Sequence, residues 1–154
     1  MGKMKDLKYK IKYSLQRARK GYADEDLFSM YDWFMNIFPK MLDDFFEHTF
    51  GEPCNNEIKK EINKMPKMWL EQQRSKINKK LKEYDNEYNL EDGMCCWLLI
   101  ILRMKHCFER CDEWHKEYEK HWENKEYEEL HRMVEKNKKE GFYLFEKYFF
   151  NLWW

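Results

Sequence analysis

Cys107-x3-Cys111-x3-His115 is the row in this 154-residue sequence whose residue types and spacing best suit a soft metal ion. Steps of four place such side chains on successive turns of one helix face. Adjacent members, separated by a rise of about 6 Å, can share an ion, whereas Cys107 and His115 lie about 12 Å apart along a straight axis and cannot. A tetrahedral zinc would need ligands from elsewhere, such as Cys54 or His48. Without them, Cys107 and Cys111 read as small core residues, the usual place of a cysteine thiol. No metal and no cofactor is expected.

Other chemistry is thinner. Asp112-x2-His115 and Glu128-x2-His131 have the carboxylate-x-x-His spacing of di-iron bundles, but such pairs arise readily by chance in a chain this acidic. The acidic run from Glu126 to Glu129 resembles the magnesium-holding Glu-Glu-x-x-Glu clusters of all-α nucleotide pyrophosphohydrolases, and Arg132 stands where the last carboxylate belongs. Glycine-rich phosphate loops and nucleophile elbows are absent, and Ser and Thr occur only at Ser14, Ser29, Thr49 and Ser75. The chain is expected not to be an enzyme, with a metal-dependent enzyme as the least favoured reading.

Binding chemistry is better represented. Lys5, Lys8, Lys12 and Arg19 fall near one face of a first helix, with Lys10, Arg17 and Lys20 alongside and Tyr9, Tyr13 and Tyr22 close by. Lys76, Lys79, Lys80 and Lys82 form a second basic cluster. Such stripes hold phosphates and stack bases, or pocket a small nucleotide. The candidate binding residues are Lys8, Lys12, Arg17, Arg19 and Tyr22. A plainer use competes: 29 basic and 29 acidic residues cancel, yet residues 3–20 and 59–82 are basic while 24–57 and 109–129 are acidic. Oppositely charged helices can pair with one another.

The elements that carry these residues read as helices. Met4, Leu7, Ile11, Leu15 and Ala18 mark one helical face, closed by Gly21 after the C-cap. Asp24 offers an N-cap to a second helix with Leu27, Met30, Tyr31, Phe34, Ile37, Phe38, Met41, Leu42, Phe45 and Phe46, kinked or broken at Pro39. Gly51-Glu-Pro-Cys-Asn-Asn56 is a loop, and Asn56 caps a third helix interrupted at Pro66. Ile77, Leu81, Tyr84 and Tyr88 continue a stripe until residues 89–93. One long helix then runs from Met94 to about Trp122, and a last one carries Tyr127, Leu130, Val134, Phe142, Phe145, Phe149 and Leu152 with Gly141 inside it.

Composition agrees. Phe, Tyr and Trp total 28 and Met 10, while Val occurs once and Ala twice, so strand formers are scarce. The expected fold is all-α, a single compact bundle of five to seven helices over residues 1–154 with an aromatic-rich core. The final thirteen residues hold eight aromatics, which must be covered to avoid an aggregating patch. The apolar run from Met94 to Leu102 is too short to span a bilayer, which takes roughly 20 residues. Five cysteines without a secretory leader point to the cytoplasm.

Two segments resemble a family of small uncharacterised bacteriophage and prophage proteins. Arg17-Ala-Arg-Lys-Gly-Tyr-Ala-Asp-Glu-Asp-Leu-Phe28, running on to Trp33-Phe-Met-Asn-Ile-Phe-Pro-Lys-Met-Leu42, is similar to the family's basic helix, Lys/Arg-Gly-Tyr-Ser/Cys-Asp-x-Asp turn and aromatic helix. Ala23 departs from the usual Ser or Cys. Gly51-Glu-Pro53 stands at the family's Gly-x-Pro loop, and Gly141-Phe-x-Leu-Phe-x-Lys-Tyr-Phe-Phe-Asn-Leu-Trp153 resembles its ending. The resemblance covers about the first third and last tenth of the chain, leaving residues 57–135 outside it. It implies a phage-type helical protein in a bacterial cytoplasm and transfers no catalytic residue. The expected function is therefore binding, with a host protein such as an antiviral-defence component as partner. Sequestration of a nucleotide signal is the alternative, nucleic acid is less favoured, no membrane partner is expected, and self-association stays open.

Overall fold

The computed structural model of the chain describes the backbone of residues 2–27, 30–53, 57–121 and 126–152, and side chains at 7–27, 30–53, 57–113 and 127–152. Among these residues there are six α-helices and no strand: α1 (Gly2–Lys20), α2 (Met30–His48), α3 (Ile58–Lys64), α4 (Lys67–Leu81), α5 (Gly93–His121) and α6 (Glu126–Tyr148). Short 3-10 turns at Asp24–Leu27, Lys82–Tyr84 and Phe149–Asn151 finish the list. The all-α bundle expected from periodicity is the fold observed. Asn56, the expected cap of the third helix, and Trp122 lie outside the described residues.

The prolines act differently from one another. Pro66, with φ −61° and ψ 125°, separates α3 from α4, so the interrupted third helix is two helices. Pro39 sits inside a continuous α2, where its missing N–H costs one intrahelical bond. The chain's contacts gather into two compact units, residues 1–37 and 38–154, and the boundary falls inside α2 just ahead of Pro39.

In the first unit, Gly21 adopts φ +82° and returns its N–H to the Arg17 carbonyl at 2.9 Å, a left-handed stop that few side chains tolerate. Asp24 opens the 3-10 turn instead of α2. Asp26 Oδ2 accepts the Ala23 N–H at 2.7 Å, tying that turn together. The stripe of Leu7, Ile11 and Leu15, one face of the expected helix, is 57%, 53% and 59% exposed. Helical periodicity marks an apolar face but does not supply the surface that covers it.

In the second unit, α5 is the hub, packing on α3, α4 and α6. Asp92 starts it by accepting the Cys95 N–H at 2.8 Å. Every residue from Cys95 to Met104 is buried, around the whole circumference of the helix. Ring contacts tie in the second half of α2: Phe38 meets Phe108 and Phe145 edge-on at 5.2 and 4.9 Å, and Phe45 meets Trp97 at 6.2 Å. Full burial of such a ring contributes roughly 1.5–3 kcal/mol, which applies to Trp97 and Phe108, while Phe38, Phe45 and Phe145 are buried only in part. Trp97 in turn lies 5.6 Å from Tyr148, whose fully buried hydroxyl has no hydrogen-bond partner among the described residues.

The inward face of α6 is not the one its large aromatics suggest. Val134, Asn137, Gly141, Leu144 and Tyr148 point in, while Phe142, Tyr143, Phe149 and Phe150 are exposed. The register is set by Gly141. A Cβ there would come within 3.1 Å of Cys107 Cβ and 3.4 Å of the Phe108 ring, so α5 and α6 are closest where the side chain is absent. The expected burial of Phe142 and Phe149 is thus corrected by one residue's rotation, and Trp153 and Trp154 lie outside the described residues.

Charged pairs lock these helices. Arg103, buried on α5, makes a two-pronged bond to Glu140 on α6 at 2.6 and 2.7 Å, and its guanidinium lies over Trp69 of α4 at 5.2 Å. Glu61, buried on α3, accepts hydrogen bonds from Lys147 and Tyr143 of α6 at 2.8 Å each and from Lys64 at 3.0 Å. Burial pushes the Glu61 carboxyl up, but these three donors outweigh it and hold its pKa at about 2 against an ordinary 4.5. Lys80, buried near the end of α4, donates to the Glu47 carbonyl at 2.5 Å and to Glu83 at 2.7 Å, closing the end of α2.

Two outcomes follow for stability. Gly141→Leu should destabilise by about 1–3 kcal/mol in chemical denaturation, because neither Cys107 Cβ nor Phe108 can withdraw without moving α5. Gly141→Lys losing nothing would show the crossing to be looser than drawn. A depressed carboxylate stabilises fully above its unfolded pKa and loses that contribution as pH falls through its folded one. The stability gap between wild type and Glu61→Gln should therefore be widest above about pH 4.5 and close as pH falls toward 2. A gap independent of pH in urea melts across that window would remove the ionic account.

Candidate functional site

The positively charged helix α1 is the element on which the sequence places its candidate binding residues, and its own unit sorts them. The acidic 3-10 turn at residues 24–27 returns along one side of the helix. Arg17 holds Asp26 with two prongs, Nε to Oδ2 at 3.0 Å and Nη2 to Oδ1 at 2.5 Å, with Glu25 at 3.9 Å. Lys20 bonds Asp24 at 2.9 Å, and Gln16 both donates to Asp24 Oδ2 at 2.5 Å and accepts its N–H at 3.0 Å. The bond from Lys20, followed by that from Gln16, lowers the Asp24 pKa, as Arg17 and then the Ala23 N–H lower that of Asp26.

The remaining cations face elsewhere. Lys8, Lys12 and Arg19 are exposed, and among the described residues none of them forms a salt bridge. With Ile11 and Leu15 they line a surface groove of about 780 Å³, with Gln16 and Lys20 along its far edge. Steps of three and four bring 8, 11, 12, 15, 16 and 19 onto one helical strip. Arg17 and Tyr22 are not part of the groove: Arg17 is spent on the turn, and Tyr22 stands beyond the helix end with the Lys20 ammonium over its ring at 5.5 Å. Tyr9 and Tyr13 stack on each other at 6.1 Å, with Lys12 over Tyr13 at 5.8 Å. Gln16 and Lys20 were missed as groove residues, although the i, i+4 series from Lys8 and Lys12 runs straight through them. Lys5 lies outside the described side chains.

The second basic cluster divides in the same way. Lys76 bonds Asp43 at 3.2 Å and covers the Phe46 ring at 4.7 Å, and Lys80 is buried as described. Lys79 and Lys82 stay exposed beside Arg74 in a shallow groove of about 620 Å³. Pairing of oppositely charged segments is therefore real, but it consumes only part of the positive charge.

The cysteine–histidine row has a structural use. Cys107 is the α5 residue beneath Gly141, and the Cys111 thiol donates to the Val134 carbonyl at 3.7 Å. Burial pushes the Cys107 thiol up to about 12 and the Cys111 thiol up to about 11. The His115 side chain and Cys54 lie outside the described residues, and His48 takes part in α2 through Nδ1, bonded to the Asp44 carbonyl at 2.7 Å. No group of three His, Cys, Asp or Glu able to hold an ion occurs among the described residues. Glu128 and His131 are both exposed, His131 lying 6.2 Å from the Tyr127 ring. None of the described helices is long and apolar enough to cross a membrane.

Thiol reactivity follows from these positions. Under native conditions Cys95, Cys96, Cys107 and Cys111 should resist iodoacetamide, since all four are buried with raised pKa values, and all should label once guanidinium unfolds the chain. Mass-spectrometric mapping reads this directly, and rapid native labelling at Cys107 or Cys111 would show that the row is accessible.

Comparison with known proteins leaves the reading to this geometry: no family model matches the chain, nor does any curated protein or solved structure.

Proposed function

We propose that the protein acts by binding rather than by catalysis, presenting the α1 groove to an acidic surface of a host protein. The phage-type resemblance at the two ends of the chain extends this to an accessory role in a bacterial cytoplasm, interfering with a host function such as antiviral defence. The supporting observation is the sorting of charge on α1: Arg17 and Lys20 are neutralised by the following turn, while Lys8, Lys12 and Arg19, beside the exposed Ile11 and Leu15, form no salt bridge among the described residues. A strip with three uncompensated cations and an apolar margin matches a surface that offers carboxylates around apolar side chains. Charge of this kind raises the association rate and selects against basic partners.

The groove volume favours a second reading. About 780 Å³ lies within the range of small-ligand sites, and three cations suit phosphates, so sequestration of a nucleotide signal is the alternative.

Charge reversal tests both. Lys8→Glu, Lys12→Glu and Arg19→Glu together should abolish capture of the partner from a bacterial host and the associated phenotype, with stability changed by no more than about 0.5 kcal/mol at these exposed positions. The same reversal at Lys79 and Lys82 should leave capture intact. A thermal-shift panel of linear and cyclic nucleotides separates the readings, since a true ligand at 100 times its dissociation constant stabilises by about 2.7 kcal/mol. Silence across the panel with loss of capture supports the protein partner. Unchanged capture by the triple variant removes α1 from the function.

A further inference from the structure

The second unit has a pocket of about 580 Å³ between the second half of α2 and Leu152, beyond the end of α6. Its volume lies in the range of sites for small organic molecules. The walls are Phe38, Met41, Leu42 and Phe45. Two of them are held from behind: Phe38 is fixed edge-on between Phe108 and Phe145 at 5.2 and 4.9 Å, and Phe45 rests against Trp97 at 6.2 Å. Their rings therefore need little ordering when a ligand arrives. Met41, exposed at the mouth, supplies an adaptable thioether.

The rim carries one carboxylate. Asp44 and His48 stand one turn apart on α2 and both line the pocket. The neighbouring Asp43 is taken by Lys76 at 3.2 Å and Lys105 at 2.7 Å, whereas no cation forms a salt bridge with Asp44 among the described residues. His48 is bonded through Nδ1 to the Asp44 carbonyl at 2.7 Å. The pocket also lies along the last turns of α2, the negative end of that helix's dipole. A ligand seated here meets aromatic faces, a thioether and a carboxylate. Aromatic faces and a carboxylate both attract cations, and the carboxylate repels an acid.

We propose that this pocket binds a small organic cation, an ammonium group on an alkyl or aryl body, with the ammonium at Asp44 and the body between Phe38, Leu42 and Phe45. The site is separate from the α1 groove in residues and in sign: one selects anions, the other a cation.

Octylammonium, octanol and octanoate, titrated into the full chain below their aggregation concentrations, form the test, read by the methyl resonances of Leu42 and Leu152. Octylammonium should bind at least tenfold more tightly than octanol, and octanoate most weakly. Asp44→Asn should erase the advantage of the ammonium while leaving octanol affinity unchanged. Met41→Arg, at an exposed position, should abolish binding of all three with an unaltered unfolding transition. Equal affinities for octylammonium and octanoate, an ammonium preference that survives Asp44→Asn, or full binding by a folded Met41→Arg variant would each overturn the assignment.

Discussion

The ten residues from Cys95 to Met104 have no outward face, so the second unit is organised by the need to cover a helix on every side. An amphipathic helix can rest on one neighbour, but a helix apolar all round needs several. α3, α4 and α6 supply them, with the aromatic end of α2 completing the enclosure. The most demanding of these contacts is with α6, where Gly141 lets the backbones approach over Cys107. From that crossing the rest of α6 is fixed in rotation: Leu144 and Tyr148 must turn inward, and the exposed Phe142 and Phe150 follow as a consequence. Tyr148 illustrates the cost of full enclosure. Its ring gains the Trp97 contact, while its hydroxyl is carried into the core with no partner among the described residues and its pKa is pushed up to about 12 by burial.

Charge in this molecule does two jobs that the zero net value conceals. Some cations are built into the fold: Arg103 clamps two helices and stacks on a third, Lys80 closes the end of α2, and Lys147 holds Glu57 and Glu61. Others are left over. In the first unit the division is made within a single helix, because the turn at residues 24–27 reaches one side of α1 and leaves the other with Lys8, Lys12 and Arg19. Removing charge from the first group alters stability, whereas the proposed function assigns recognition to the second. This separation is what makes the functional reading open to experiment.

Much of the fold could be read from the residues, for identifiable reasons. The long α5 was legible because its apolar run outlasts any strand, and Gly21 because a left-handed stop is a local property. The rotation of α6 was not legible, since eye and scale both follow the largest side chains while the contact is decided by the smallest. The exposure of Leu7, Ile11 and Leu15 was hidden because periodicity describes a helix and not its neighbours. Partnerships such as Arg103 with Glu140 and Lys147 with Glu61 depend on residues 37 and 86 positions apart, a distance no local pattern bridges. On α1 the cations were found, but which of them were already engaged depended on the path of the following turn. The pocket beside Asp44 was not legible, because its α2 wall becomes a pocket only where Leu152, far along the chain, closes it.

The bond from Lys147 back to Glu61 also carries a consequence for the order in which the chain is made. Glu61 leaves the ribosome when 86 residues must still be added before Lys147 exists, and the exit tunnel delays its arrival further. At about 5–20 residues per second, several seconds pass in which α3 and α5 are present without α6. Throughout that interval the continuous apolar surface of α5 lacks the helix that covers it most closely, and Glu61 lacks two of its three donors. The second unit therefore completes its core only once α6 has emerged, and the nascent chain is at its most adhesive just before that helix appears.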